Sequence, residues 1–125
     1  MKQAISTNNA PGAIGPYSQG TKNGNLVFTS GQLPLDPHGD GELITDVKKA
    51  TAQALENVKA ILEAGGATMN DVVKVLVFLT DMNDFAAMNE VYATYFTGVC
   101  PARSAIAVAA LPKGAVLEIE AIAVV

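Results

Sequence analysis

Apolar residues recur at helical spacing between Asp46 and Gly65. Asp46 can cap a helix N-terminus because its carboxylate accepts from a free backbone N–H, and Gly65 is a suitable stop. The pattern therefore predicts a first helix between these two residues, with one buried stripe. The stripe consists of Val47, Ala50, Ala54, Val58, Ile61 and Leu62.

The next segment, residues 71–81, is rich in β-branched residues and apolar on both alternations apart from Lys74. It is too short for an isolated helix, so it predicts a central strand that is covered on both faces. Asn83 or Asp84 can then begin a second helix, with Gly98 beyond its end. The buried stripe of this helix would contain Phe85, Met88, Val91, Tyr92 and either Tyr95 or Phe96.

A hairpin is predicted near the N-terminus, where Asn23-Gly24 lies between two strand-like segments. This dipeptide suits the positive φ angles of a two-residue turn. In that register Lys22 pairs with Asn25, and Tyr17 lies opposite Ser30 on one face of the sheet.

Two further strands, residues 103–110 and 115–125, flank a turn at residues 111–114 that contains Pro and Gly. If residues 3–7 form an edge strand, the order is strand, strand, strand, helix, strand, helix, strand, strand. This order predicts a single α+β domain over residues 1–125, a mixed six-stranded sheet with two helices on one face.

Charged residues are scarce, at 16% of a chain that is 50% hydrophobic. An average soluble protein has about 25%, so we expect either subunit interfaces or an unusually dry core. The net charge of −4 and the scattered lysines argue against a nucleic-acid partner. The chain has no signal-peptide pattern and no apolar run that could cross a bilayer, so we expect a cytoplasmic protein without a membrane partner.

Arg103 is the only arginine, and it is the only charged residue between Glu90 and Lys113. A guanidinium stays charged, so at a partly buried position it requires an anion. Glu118 and Glu120 share one face of the last strand. Two interpretations remain open. In the first, the charges are structural: Arg103 pairs with a glutamate, or all three residues face water at the edge of the sheet. In the second, Arg103 binds a ligand carboxylate while a glutamate polarises water or transfers a proton.

Other motifs are weaker. Residues 36–41 begin like a calcium loop, but His38 and Val47 occupy positions that require oxygen ligands. His38 is predicted to be a solvated turn residue, and Cys100 a buried, inert thiol. We predict no metal site.

Five short motifs together resemble the Rid family, also called YjgF, in its deaminase subfamily. They are Gly15-Pro16-Tyr17-Ser18-Gln19, Phe28-Thr29-Ser30-Gly31-Gln32, Pro101-Ala102-Arg103-Ser104, Leu111-Pro112-Lys113-Gly114-Ala115 and Glu118-Ile119-Glu120-Ala121. They span nearly the whole chain in the family's order. The resemblance implies a chorismate-mutase-like homotrimer with clefts between subunits. It also implies hydrolysis of 2-aminoacrylate-type enamine/imine intermediates to 2-keto acids and ammonia. Because an imine hydrolyses readily in water, orientation and proton transfer are sufficient, and no cofactor is expected.

The resemblance also implies roles for individual residues. Arg103 would grip the substrate carboxylate, and Glu118 would position or activate the attacking water. Tyr17, Ser30 and Gly31 would line the pocket, and the backbone of Ala105 would meet the substrate nitrogen. Many relatives have cysteine where this chain has Ala105, so no thiol chemistry is expected there.

Two other functions remain open at this stage. The same cleft could belong to a regulator that binds a 2-keto acid without turning it over. The apolar composition is also compatible with a chaperone-like interaction protein, and relatives have been described as nucleases or translation inhibitors.

Overall fold

The computed structural model describes residues 1–125, which form six strands and two helices in the predicted order. The strands are β1 (Gln3–Ile5), β2 (Gly20–Asn23), β3 (Leu26–Thr29), β4 (Val72–Leu79), β5 (Ala102–Ala107) and β6 (Leu117–Val124). The helices are α1 (Val47–Ala64) and α2 (Phe85–Tyr92). None of the helices is long and apolar enough to cross a membrane.

The six strands form one mixed sheet in the order β1-β2-β3-β6-β4-β5. All neighbouring pairs are antiparallel except β4 and β5, which are parallel. The predicted mixed six-stranded sheet is therefore confirmed. Because β6 lies between β3 and β4, the segment after β5 passes across β4, and the turn at Pro112–Gly114 does not join neighbouring strands.

Helix α1 begins and ends where the sequence predicts. The Asp46 carboxylate accepts from the Lys49 N–H at 3.0 Å, and the Gly65 N–H donates to the Ile61 carbonyl at 3.1 Å. Helix α2 is shorter than predicted and ends at Tyr92. The Thr94 hydroxyl donates to the Val91 carbonyl at 2.6 Å, so a local bond competes with a continued helical ladder.

The predicted hairpin forms, but its register is wrong, because the two-residue turn lies one residue further along the chain than predicted. Asn23 pairs with Leu26, so the turn residues are Gly24 and Asn25. Only Gly24 has a positive φ, +60°, which is the pattern of a turn with glycine at its first central position. As a result Gln19, and not Tyr17, lies opposite Ser30, whose N–H donates to the Gln19 carbonyl at 2.8 Å.

The two faces of the sheet differ in what covers them. Both helices pack on one face, where alternate residues of β4 and β6, such as Val77 and Ile119, are fully buried. No helix covers the opposite face, which we call the open face, so β4 is covered on only one side within the chain. The open face carries the apolar side chains of Leu26, Phe28, Leu76, Phe78, Ile106, Ile122 and Val124. Lys74, Glu118 and Glu120 share this face, and a mainly apolar sheet face of this kind is typical of a contact surface.

Gln19 ties the N-terminal segment to the sheet. Its buried side chain accepts from the Thr7 N–H at 2.8 Å and donates to the carbonyls of Thr7, Ala10 and Pro11 at 3.0, 3.1 and 2.8 Å. These bonds satisfy backbone groups that would otherwise be buried without partners. Gln19 therefore fixes the path of the loop that leads to Tyr17.

We expect Gln19→Leu to lower the free energy of unfolding by about 1–3 kcal/mol, because the substitution leaves buried backbone groups without partners. Urea unfolding measures the loss. Gln3→Leu is the matched control, since Gln3 is exposed on β1 and makes no side-chain hydrogen bond. Equal losses in the two variants would contradict the role assigned to Gln19.

Candidate active site

Arg103 lies on the edge strand β5, opposite the buried Val75, so its side chain extends over the helix face toward α2. Its Nη1 donates to the Asn89 side-chain oxygen at 2.7 Å. The guanidinium carbon lies 4.6 Å from the centre of the Tyr92 ring and 5.4 Å from that of the Phe85 ring. The aromatic faces attract the cation, each contact contributing about 0.5–2 kcal/mol.

No acidic side chain of the chain neutralises Arg103. The one ion pair is Lys48–Glu90 at the surface, with 3.0 Å between Nζ and Oε2. The structural ion pair that the sequence left open is therefore absent. Nε and Nη2 of Arg103 make no hydrogen bond, so a planar edge with two donors is available to a carboxylate.

The free edge of β5 presents backbone groups beside Arg103. The Val108 N–H donates to the Leu79 carbonyl of β4 at 2.8 Å. Because successive residues of a parallel strand direct their N–H and C=O groups to alternate sides, those of Arg103 and Ala105 point away from β4. The Ala105 backbone is therefore open to a partner or ligand. We call Arg103, Asn89 and Ala105 the Arg103 half-site.

A second group of candidate residues lies where β3 meets β6. Phe28 pairs with Ile122 and Gln32 pairs with Ile119, so residues 29–31 face only two residues of β6. One extra residue on one strand is a β-bulge, a feature that redirects side chains and is common beside active sites. The bulge contains Ser30 and Gly31. With Glu118, we call these residues the Glu118 half-site.

Gly31 lies directly against the Glu118 carboxylate. A Cβ on Gly31 would lie 2.7 Å from the carboxyl carbon, closer than real contacts allow, so a larger residue here would displace the Glu118 carboxylate from this position. The Gly31 N–H has no hydrogen-bond partner. The Ser30 hydroxyl donates to the Ser18 carbonyl at 2.6 Å and holds the preceding loop in place.

Tyr17 does not reach Ser30 through strand pairing, as the predicted register required. It is 54% exposed on the loop before Ser18, and its hydroxyl accepts from the Ile14 N–H at 3.4 Å. Tyr17 is nevertheless linked to the Glu118 half-site, because the residue that follows it accepts the Ser30 hydroxyl bond.

The two half-sites do not converge within one chain. Glu118 lies opposite Phe78, which lies opposite Ile106, so two strand spacings, about 10 Å, separate β6 from β5. Arg103 is directed to the helix face and Glu118 to the open face. Two shallow depressions along α1, of about 360 and 400 Å³, contain residues of neither half-site.

The chain is similar in sequence and in fold to known proteins. The family model described as Endoribonuclease L-PSP matches residues 7–125. A 2-iminobutanoate/2-iminopropanoate deaminase of Escherichia coli is 51% identical, covering 99% of this chain and 98% of the relative. The crystal structure of E. coli TdcF with bound serine has a TM-score of 0.94 at 52% identity and covers 98% of each chain.

The chain belongs to the YjgF/Rid family. A RutC family protein of Pyrococcus horikoshii is also similar, at 59% identity over 98% of both chains. The resemblance stated from the five motifs is thereby confirmed. The α+β fold is confirmed as well, because a TM-score of 0.94 is reached over nearly the whole length of this Rid chain.

Sequence reasoning missed Asn89. Phe85, Asn89 and Tyr92 are spaced four and three residues apart, so they share one face of α2. A polar residue on an otherwise apolar helix face was the signal that could have identified it.

Two other predictions concern single residues. Cys100 is exposed, so the prediction of a buried thiol is wrong. The residue lies in the segment between α2 and β5, outside the cluster of residues that forms the core. His38 is exposed, as predicted for a turn residue, and no three His, Cys, Asp or Glu side chains lie close enough together to hold a metal.

Burial raises the pKa of the Glu118 carboxyl, and the neighbouring Glu120 raises it further. The folded chain therefore binds this proton more tightly than the unfolded chain. The free energy of unfolding must then fall as the pH rises from the ordinary glutamate pKa through the raised one. A carboxylate with a raised pKa is also better matched to proton transfer near neutral pH.

We expect Glu118→Gln to remove this fall, so the variant gains stability over the native chain above that pH window and not below it. Urea unfolding from about pH 3.5 to 8 measures the difference. Glu42→Gln, at an exposed loop carboxylate, is the control. Parallel pH curves for the native chain and Glu118→Gln would contradict the assignment.

Proposed function

We propose that this Rid protein is a homotrimeric deaminase. It hydrolyses 2-aminoacrylate-type enamine/imine intermediates to 2-keto acids and ammonia, in clefts between subunits. The observation that carries the proposal is the half-buried guanidinium of Arg103, which has no acidic partner and a free donor edge. A relative named as a 2-iminobutanoate/2-iminopropanoate deaminase at 51% identity supports the substrate class.

Each candidate residue has a part in the proposed reaction. Arg103 binds the substrate carboxylate through two parallel N–H bonds. Ala105 offers its backbone carbonyl to the substrate nitrogen. On the other side, Ser30 and Tyr17 line the cleft, and the unpaired Gly31 N–H is a further donor for the bound anion.

Glu118 positions the attacking water. The imine carbon is electrophilic, so water adds to it while Glu118 accepts one of the water protons and passes it to the nitrogen, which gives a carbinolamine. The hydroxyl proton is then transferred to the nitrogen through Glu118, the C–N bond breaks, ammonia leaves, and the oxygen that came from water becomes the keto oxygen. Positioning and proton transfer are sufficient for this hydrolysis, and the proposal requires no cofactor.

The separation of the half-sites supports assembly between subunits. Two different surfaces that meet across an interface form a heterologous contact, which gives a ring when the rotation closes. The apolar open face is a large surface that other copies would cover. Three copies are the ring that the family resemblance implies.

A ribonuclease, which the family description names, is not favoured. The chain has a net charge of −4, and its only histidine, His38, lies exposed in a loop, where its ring Nε2 is 3.4 Å from the Asn9 side-chain oxygen. Phosphate binding depends on clustered cations, which this surface lacks.

We expect Arg103→Ala to lower kcat/KM by at least about 100-fold, because two charge-assisted bonds contribute roughly 3 kcal/mol or more. Ammonia release from 2-iminobutyrate, generated in the assay by an amino acid oxidase, measures the loss. Lys49→Ala, at an exposed position of α1, is the control. Full activity in Arg103→Ala would refute the deaminase assignment.

Saturable 2-ketobutyrate binding by the native protein, without any acceleration of imine hydrolysis, would favour the non-enzymatic regulator instead.

Mixed oligomers test whether each cleft is shared. Arg103→Ala and Glu118→Gln subunits, refolded together in equal amounts, should regain about a quarter of the native activity, since each cleft has an even chance of receiving each intact half. Each variant refolded alone should stay inactive. A mixture that is no more active than its components would place both residues in one chain's site and refute the shared cleft.

A further inference from the structure

The contact between Asn89 and Arg103 has a specific chemical form. The acceptor is the oxygen of a neutral amide, 2.7 Å from Nη1, and the bond is partly buried. It joins the middle of α2 to the edge strand β5. A bond to a charged donor in such a setting is stronger than an ordinary neutral one.

The identity of the acceptor determines what the guanidinium can still do. An amide oxygen fixes the orientation of Arg103 but leaves its positive charge uncompensated. An aspartate of the same shape would make the same contact and also neutralise the charge. The aromatic rings of Phe85 and Tyr92 also attract the cation without supplying an anion.

The same bond determines which edge of the guanidinium is available. Asn89 occupies a donor of Nη1, so the Nε and Nη2 donors remain together as one planar pair. A single carboxylate fits this pair with two parallel bonds. Without Asn89, the long arginine side chain could rotate, and the free pair would no longer point in one direction.

We propose that Asn89 is a positioning residue, which holds Arg103 so that its Nε–Nη2 edge faces the carboxylate of the bound substrate while its charge stays available. This inference rests on the proposed function, because it assumes that Arg103 binds a substrate carboxylate. Asn89 acts only through Arg103 and is not itself a catalytic residue.

The test compares two substitutions at one position. Asn89→Asp keeps the shape and the bond to Arg103 but supplies a competing carboxylate, so the dissociation constant of 2-ketobutyrate should rise at least about tenfold. Its melting temperature should stay equal to or above the native value, because the contact with Arg103 becomes an ion pair. Asn89→Ala should raise both KM and the dissociation constant, since Arg103 loses its fixed orientation.

Titration calorimetry with 2-ketobutyrate and thermal unfolding of the full-length protein supply both readouts. Glu90→Gln is the control: it is the next residue of α2, and its side chain is 69% exposed in the surface pair with Lys48. Arg103→Ala is measured in parallel to separate the two hypotheses.

The expected result is that Asn89→Asp binds 2-ketobutyrate more weakly while its melting temperature does not fall. If the contact between Asn89 and Arg103 were purely structural, strengthening it would leave binding unchanged. Native affinity in Asn89→Asp or Asn89→Ala, with no binding by Arg103→Ala, would overturn the role of Asn89 and leave the proposed function intact. A loss of binding that is matched by a loss of stability in Asn89→Asp would assign Asn89 to packing and also overturn it. Native affinity in Arg103→Ala would overturn the proposed function itself.

Discussion

The molecule depends on a cation that is held in place without being neutralised. The guanidinium of Arg103 lies over the Tyr92 ring, beside Phe85, and donates to the amide oxygen of Asn89. Each of these contacts is attractive, yet none supplies a negative charge. A half-buried charge in this state favours the arrival of an anion more strongly than a solvated one does. The rest of the fold determines which anion can approach and what it meets.

Sheet order places the second group of residues away from the first. Because β6 is inserted between β3 and β4, Glu118 lies next to the Ser30–Gly31 bulge, while Arg103 lies on the outer strand β5. The free backbone edge of β5 and the apolar open face are both surfaces that an isolated chain leaves unsatisfied. A neighbouring copy that covers them would also complete the site, so assembly and chemistry would depend on the same contacts.

Sequence patterns predicted much of the secondary structure, because interactions between residues close in sequence determine where helices and strands begin and end. The ends of α1 follow from Asp46 and Gly65, and the isolated Arg103 was visible as the only charge in a long apolar region. Features that depend on partners distant in sequence were not predictable in the same way. The insertion of β6 between β3 and β4 is one such feature, and it places Glu118 beside the Ser30–Gly31 bulge and two strand spacings from β5.

Other errors came from small differences between competing local states. The hairpin turn uses Gly24 at its first central position, which moves the pairing so that Tyr17 no longer faces Ser30. The position of Asn89 required knowledge of where α2 packs against β5. The contact between Glu118 and Gly31 could be predicted only from the position of the β-bulge, and no single residue type identifies a bulge in a sequence.

A crystal structure of the protein grown with 2-ketobutyrate is the most direct test of the account. It should show the ligand carboxylate on the Nε–Nη2 edge of Arg103 from one subunit, with Gly31 and Glu118 of the neighbouring subunit on the other side of the ligand. A ligand bound elsewhere, or an Arg103 that is paired with an acidic side chain in the assembled protein, would contradict it.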